Sequence, residues 1–250
     1  MRRLFIFFLL TLAGSALHAD LSYPCSYDQM QSQIAPYLLP HNHPMKSVLD
    51  AIFSQSRVLV NERTFTDAGF IPIAGPMPNS FVIVARHPAS PGYVFKLYLD
   101  SEWRCRKQIP NWVWLTRRCI GAAGIRNMIK RKKMQYFLVP DKWLYVLPVY
   151  RGSNPLILIE TDMELESPEV TEQMWKNGIT YQHLDELYAI FQQGYGGHGI
   201  VNLTANVPFT KHGKFAFTDT EDPQDDLNLN YVRQYLSKEM RDYWDMLIDR

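Results

Sequence analysis

The part of the sequence that most constrains the fold is residues 198–222, HGIVNLTANVPFTKHGKFAFTDTED. Two short apolar runs, VPFT and KFAFTD, flank a Lys-His-Gly turn, and this pattern predicts a β-hairpin. Asn206 lies on one side of the turn, and Asp219 ends the apolar run on the other. An amide oxygen and a carboxylate that a hairpin brings together can share one Mg²⁺ ion. The segment therefore indicates either a metal-phosphate site or an ordinary hairpin with an acidic exit.

A second informative segment is residues 93–99, YVFKLYL, whose aromatic and β-branched residues predict a strand. Lys96 lies in the middle of this strand. A lysine at such a position either extends from a solvent-facing side of the sheet or serves as a contact for phosphate. The preceding segment contains Gly69 and Gly75 but does not spell the phosphate-binding pattern G-x-G-x-x-G.

Taken in order, these segments resemble the protein kinase superfamily over residues 60–222. In that family the lysine of a V-A-I-K strand contacts the phosphates of ATP, and the catalytic loop H-R-D-x-x-x-x-N is followed by a D-F-G aspartate that binds the metal. The resemblance gives Lys96 the role of the phosphate contact. It gives Asn206 and Asp219, in a D-T-E rather than a D-F-G setting, the role of metal ligands. ATP and Mg²⁺ are the cofactors that it implies.

Three departures from the family pattern argue against ordinary kinase chemistry. Val201 stands at the position of the catalytic aspartate, and its neighbour Asn202 cannot accept a proton from a substrate hydroxyl. No acidic residue lies between Glu102 and Asp141, so the helix glutamate that pairs with the strand lysine in kinases is missing. The third departure is export to a space where ATP is scarce. The matched position therefore supplies no catalytic base.

The resemblance implies an α+β fold of the kinase-like two-lobe type, with a small antiparallel sheet in the N-lobe and a reduced helical C-lobe. A polar link at residues 151–155 would form the hinge between the lobes. Only residues 220–250 follow Asp219, so most of the large helical lobe of a protein kinase is absent. The expected divisions are a signal peptide at 1–19, an N-terminal extension with one helix at 20–59, the N-lobe at 60–150 and the C-lobe at 151–250.

Apolar periodicity predicts further elements within these divisions. The pattern favours a strand hairpin made of residues 134–139 and 143–148. Gly121 and Gly124 are expected to divide the helical region 103–133 into two helices. The remaining expected elements are helices at 46–60, 168–177, 181–193 and 229–248 and a short strand at 156–159.

The region 103–133 is also the most basic part of the chain, with ten basic side chains and no acidic one. It predicts a surface for an anionic ligand at residues 104–133, such as phosphate, nucleic acid or anionic lipid. The alternative is a solvated helix surface, because residues 160–186 supply eight acidic side chains and one lysine that would balance its charge.

The first nineteen residues have the pattern of a secretory signal. Arg2 and Arg3 precede the apolar run 4–12, which is too short to span a bilayer comfortably, and a cleavage site comes before Asp20. This pattern predicts a periplasmic or secreted protein, and a retained membrane anchor is the alternative. No later segment is long and apolar enough to span a membrane. The mature chain would carry 24 basic and 25 acidic residues, so its net charge does not select a partner.

The three cysteines, Cys25, Cys105 and Cys119, are too few for a disulfide scaffold. One bridge can form in an oxidising compartment, and Cys105 with Cys119 is the expected pair because Cys25 lies in the N-terminal segment. The alternative is that all three are small buried hydrophobic residues.

These features together predict an exported kinase-like protein, a pseudokinase that binds a nucleotide, another small-molecule ligand or a protein partner. Two alternatives stay open. One is an active, divergent kinase that acts as a secreted effector in a host cell, where ATP is plentiful. The other is an unrelated α+β periplasmic binding or interaction protein in which Lys96 and Asp219 are structural.

Overall fold

The computed structural model describes residues 27–54, 56–74, 82–100, 109–148, 154–194, 202–220 and 228–249. The expected signal segment 1–19, Cys25, Cys105, Val201 and part of the link 151–155 lie outside these ranges. The helices are α1 (Tyr27–Ile34), α2 (Pro44–Phe53), α3 (Glu62–Asp67), α4 (Asn111–Lys132), α5 (Pro168–Gln173), α6 (Tyr181–Phe191), α7 (Leu203–Asn206) and α8 (Lys238–Ile248). The strands are β1 (Ile71–Ala74), β2 (Ile83–Arg86), β3 (Tyr93–Leu97), β4 (Phe137–Leu138), β5 (Lys142–Val146), β6 (Leu156–Thr161) and β7 (Phe215–Ala216). Short 3₁₀ turns occupy Ala35–Tyr37 and Leu229–Tyr235, and a π-helical turn occupies Met174–Gly178.

Five strands form one antiparallel sheet in the order β1-β2-β3-β6-β5. β3 and β6 are buried along nearly their whole length, as expected for central strands that are covered on both faces. β1 lies at an edge and is exposed. In the register of the sheet, Lys96 lies opposite Leu158, and Lys142 lies opposite Glu160.

Helices cover both faces of this sheet. Successive residues of a strand point to opposite faces, so Ile159 packs in the core beneath α2 and α3, whereas Leu158 packs in the core beneath α1 and α4. The same alternation directs Lys96, Lys142 and Glu160 towards α4. Three charged side chains therefore enter the layer between the sheet and its longest helix.

A third hydrophobic core is formed mainly by residues of the second half of the chain. The buried rings of Trp175, Phe215 and Trp244 lie among the apolar residues of α6 and α8. β4 and β7 form a separate two-stranded parallel sheet at its border, in which Phe137 lies opposite Phe215. α4 also contributes Ile125 to this core, so the helix connects it to the five-stranded sheet.

The expected α+β class with an antiparallel sheet is confirmed by this arrangement. The structure also contains the hairpin expected around the Lys-His-Gly turn. The backbone nitrogen of Thr210 donates to the carbonyl of Lys214 at 2.9 Å, and that of Thr218 donates to the carbonyl of Asn206 at 2.9 Å. Residues 206–218 thus fold back on themselves and carry Asp219 out beside the end of α7.

The predicted hairpin of residues 134–139 and 143–148 is wrong. β4 pairs with β7, and β5 pairs with β6. Phe137 packs against Trp175 and Phe215 in the third core, with ring centroids 6.4 and 6.0 Å away. The short turn after β4 therefore connects two different sheets instead of two neighbouring strands.

The predicted division of the 103–133 region into two helices is also wrong, because α4 runs unbroken through Gly121. This glycine serves a close contact: a Cβ atom built on it would lie 2.2 Å from the carbonyl oxygen of Thr220. The absence of a side chain lets the helix axis approach the segment that carries Asp219. Helix packing outweighs the helix-breaking tendency of the residue.

Two other expected helices are shorter in the structure. In place of the helix at 46–60, α2 ends at Phe53, and α3 begins beyond that range, after Asn61, whose side chain accepts from the backbone nitrogen of Thr64 at 3.0 Å. In place of the helix at 229–248, a 3₁₀ turn covers Leu229–Tyr235, and α8 begins after Ser237, whose side chain accepts from the backbone nitrogen of Met240. Asn61 and Ser237 are polar residues of the kind that commonly cap the start of a helix.

Cys119 is a free, buried thiol on α4, and Cys105, its expected disulfide partner, lies outside the described residues. The buried position of Cys119 agrees with the alternative of a small hydrophobic residue, as far as this one cysteine is concerned.

The sheet continues past residue 150, where the boundary between the lobes was expected. β6 begins at Leu156 and pairs along its length with β5, and the backbone of Leu147 donates to the carbonyl of Pro155 at 2.9 Å. The polar link thus joins neighbouring strands of one sheet. Among the described residues, no helix has both the length and the apolar character that crossing a membrane requires.

Candidate functional site

Five charged side chains meet in the layer between the sheet and α4, and we call them the charge cluster: Lys96, Arg118, Lys142, Glu160 and Asp219. Each comes from a different part of the chain, namely β3, α4, β5, β6 and the segment after β7. Such a cluster needs internal partners because burying an unpaired charge is costly.

Two lysines share one carboxylate within the cluster. Nζ of Lys96 lies 3.3 Å from Oε1 of Glu160, and Nζ of Lys142 lies 3.1 Å from Oε2 of the same group. All three side chains are at most 7 % exposed. The sheet register creates this pairing, since Lys142 is directly opposite Glu160 and Lys96 is diagonal to it.

Both ammonium groups also bind the chain after the hairpin. Lys96 donates to the backbone carbonyl of Thr218 at 2.6 Å, and Lys142 donates to the same oxygen at 2.7 Å. Lys142 donates in addition to the hydroxyl of Thr220 at 3.3 Å, and that hydroxyl donates to the carbonyl of Arg118 at 2.6 Å. The segment 218–220 is thus held against both the sheet and α4.

Arg118 supplies the partner of Asp219. Its Nε donates to Oδ1 of the carboxylate at 3.1 Å, and its side chain is only 1 % exposed, against 27 % for Asp219. Burial by itself would raise the pKa of Asp219, but the positive charges of Arg118, Lys96 and Lys142 outweigh it and hold that pKa well below its usual range. Asp219 is therefore ionised.

The pKa of Lys142 is lowered within the cluster. Burial lowers its pKa to about 8; Glu160 opposes this shift, and the neighbouring charge of Lys96 adds to it. The cluster contains three basic groups and two carboxylates, so it holds one positive charge in excess when every group is ionised.

The structure brings all three residues assigned by the kinase resemblance to one place, and Thr218 links them. Lys96 donates to the Thr218 carbonyl, the Thr218 nitrogen donates to the carbonyl of Asn206, and Asp219 is next in the chain. The ion pairs differ from the expected arrangement. Arg118 pairs with Asp219, and Glu160 on β6 takes the place of the missing helix glutamate as partner of Lys96.

This arrangement does not fit a Mg²⁺ ion or the metal-bound phosphates of ATP. A divalent cation requires several oxygen ligands that carry net negative charge, whereas Asp219 is surrounded by three cationic side chains. Among the described residues, no group of three or more His, Cys, Asp and Glu side chains could hold a metal. The ammonium group of Lys96 also has an internal acceptor, the backbone carbonyl of Thr218 at 2.6 Å.

Asn202, the neighbour of the expected base position, has a structural role. Its side-chain oxygen caps α7 by accepting from the backbone nitrogen of Ala205 at 3.1 Å and from the hydroxyl of Thr204 at 2.7 Å. A short polar residue at the start of a helix commonly takes this role. Val201 itself lies outside the described residues.

The basic region 104–133 separates into three kinds of residue in its described part. Arg118 and Arg126 form ion pairs within the protein, and Arg117 stacks over the ring of Trp114 at 4.9 Å. The exposed residues are Lys130, Arg131, Lys132 and Lys133 at the end of α4. The sequence predicted that Arg118 and Arg126 belong to a charged surface. In the structure Arg118 is in the core and Arg126 is half-buried.

Sequence reasoning missed Arg118, Lys142 and Glu160 as members of the site. A signal was present for Glu160, which ends the apolar run LILIE as Asp219 ends KFAFTD.

No known protein-family model matches the chain. No curated protein matches it either.

Proposed function

We propose that this protein is an exported kinase-like protein without phosphotransfer activity, a pseudokinase that binds a ligand or a protein partner. One observation carries the proposal: the carboxylate that would bind the metal is already paired inside the protein. Arg118 pairs with Asp219 at 3.1 Å.

The kinase-like part of the proposal rests on the order and convergence of named residues. A lysine on β3, the carbonyl of Asn206 and the aspartate after a hairpin meet around one residue, Thr218. These positions were assigned together from a family pattern, and they lie far apart in the sequence. This convergence of positions supports the kinase-like interpretation.

The non-catalytic part of the proposal rests on chemistry. Phosphoryl transfer requires a lysine on the phosphates, a carboxylate on the metal and a group that positions the nucleophile. Lys96 and Asp219 are committed to internal partners, and Asn202 caps a helix.

A phosphotransfer assay tests this proposal. The mature protein is incubated with labelled ATP and Mg²⁺ or Mn²⁺, beside an active protein kinase as positive control. We expect no incorporation above that of Asp219→Ala. Asn206→Ala is a matched second control, because the structure uses the backbone carbonyl of Asn206, which the substitution keeps.

Incorporation that both substitutions abolish would instead establish the active-kinase alternative. Stabilisation of the wild type by ATP, without incorporation, would identify a nucleotide as the ligand of the pseudokinase. A protein that neither binds nor uses ATP would leave a partner protein or another small molecule as its ligand.

A further inference from the structure

A cavity of about 220 Å³ adjoins the charge cluster, since Lys142 is one of the residues that line it. Its walls come from the 3₁₀ turn after α1, from the middle of α4 and from the start of β5. The residues that line it include Tyr37, Cys119, Ala123, Arg126, Asp141 and Lys142. The volume is below the range of about 300–1,000 Å³ that is typical for drug-sized ligands, so the cavity suits a small molecule or an ion.

The lining includes side chains that can donate hydrogen bonds. Burial raises the pKa of the Cys119 thiol to about 12, and burial followed by the nearby thiol raises the pKa of the Tyr37 hydroxyl. Both groups are therefore neutral donors at neutral pH. Arg126 adds a guanidinium that is 41 % exposed at the rim. These donors are complementary to an acceptor with several oxygens.

The charges around the cavity are positive on balance. Arg126 pairs with Asp141 at 2.9 Å and also donates to the carbonyl of Pro140 at 2.8 Å. Lys142 faces the charge cluster with its ammonium group and contributes its charge through space. Among the described residues, the cluster contributes three positive and two negative charges, and the rim adds one of each, Arg126 and Asp141. These seven groups together carry one positive charge in excess.

We propose that this cavity binds a small oxyanion, the phosphate group of a free phosphate ion or of a small phosphate monoester, with Arg126 as its contact at the rim. An anion there would compensate the excess positive charge of the cluster and the rim. Its oxygens would accept from the guanidinium, the Tyr37 hydroxyl and the Cys119 thiol. This inference stands independently of the proposed kinase-like function.

Binding is measured by calorimetry and thermal shift with inorganic phosphate and with glycerol 3-phosphate, at constant ionic strength set with chloride. Arg126→Gln removes the rim charge, and because its ion pair is largely exposed we expect the fold to survive. Ala123→Leu fills the cavity without changing any charge. Arg131→Gln, on the exposed end of the same helix, is the matched control.

We expect wild type and Arg131→Gln to bind alike, and Arg126→Gln and Ala123→Leu to bind about tenfold or more weakly, the loss of one charge-assisted contact. Tighter binding of glycerol 3-phosphate than of phosphate would assign the site to a monoester, and the reverse order would assign it to the free ion. Equal binding by all four proteins would show a general surface effect and overturn the proposal. Absence of binding to the wild type would overturn it as well.

Discussion

Arg118 and Asp219, 101 positions apart in the chain, join the middle of α4 to the exit of the hairpin through a contact of 3.1 Å. The two ends of this ion pair are unequally buried, since the arginine side chain is 1 % exposed and the aspartate 27 %. They are also unequally supported. Without Arg118 the carboxylate keeps Lys96 and Lys142 nearby, whereas without Asp219 the guanidinium stays buried in a cluster that already has excess positive charge.

This inequality predicts an asymmetric cost of mutation. We expect Asp219→Asn to lower the free energy of unfolding by about 3–5 kcal/mol, because the buried guanidinium of Arg118 loses its contact with the charged carboxylate. Arg118→Gln should cost less, about 1–3 kcal/mol, because Asp219 reaches water and retains two cationic neighbours. Urea unfolding followed by circular dichroism measures both values.

Arg131→Gln serves as the control for loss of an α4 arginine and should change stability by no more than ~0.5 kcal/mol. The double variant completes a mutant cycle, in which a coupling energy near zero would show that the contact between Arg118 and Asp219 contributes nothing. A larger cost for Arg118→Gln than for Asp219→Asn would contradict the electrostatic description of the cluster.

Local sequence patterns predicted the parts of this site that depend on short-range order. The Lys-His-Gly turn between apolar runs is sufficient to define the hairpin, and the strand around Lys96 follows from its β-branched and aromatic residues. Comparison with the kinase pattern then grouped Lys96, Asn206 and Asp219, which the structure places around Thr218. These predictions needed no knowledge of how distant strands pair.

The other members of the site depend on strand order and helix facing, which single-sequence patterns do not provide. Lys142 was assigned to a turn between two paired strands, but β5 pairs with β6 and so brings Lys142 opposite Glu160. Arg118 belongs to a run of basic residues, and charge alone gives no sign that one of them enters the core. The prediction that β4 pairs with β5 was wrong for the same reason, since β4 pairs with the distant strand β7.

Gly121 provides a second prediction, about the packing of α4 against the site. Gly121→Ala raises helix propensity by up to ~1 kcal/mol, but its methyl group would meet the Thr220 carbonyl at 2.2 Å. We expect a net destabilisation of about 1–3 kcal/mol, as for an overpacked core. Thermal unfolding measures the change.

The matched control for Gly121 is Asn127→Ala, on an exposed position of the same helix, which should be neutral or slightly stabilising. If Gly121→Ala proves as stable as this control, α4 does not approach the 218–220 segment as closely as the structure has it.

Export predicts a defined N-terminus for the native protein. If residues 1–19 act as a secretory signal, intact-mass measurement of protein from its natural source should give a chain that begins at or near Asp20. Replacing Arg2 and Arg3 with Glu should reduce processing, because the charged n-region is required. Retention of Met1 in the mature product would indicate the membrane-anchored alternative.

The final prediction concerns pH and follows from Lys142. Its pKa is lowered to about 8 in the folded protein from 10.5, so between these values the unfolded chain binds more protons than the folded one. The free energy of unfolding should therefore rise with pH above about 8, by at most ~1.4 kcal/mol per pH unit. The buried Cys119 thiol, whose pKa is raised from 9.0 to about 12, acts in the opposite direction above pH 9. The rise is thus confined to the interval from about 8 to 9.

Urea unfolding at closely spaced pH values should show this rise in the wild type and in the exposed-lysine control Lys133→Gln. It should be absent in Lys142→Gln, whatever that variant's overall stability. A rise that persists in Lys142→Gln would assign the titration to another group and contradict the lowered pKa of Lys142.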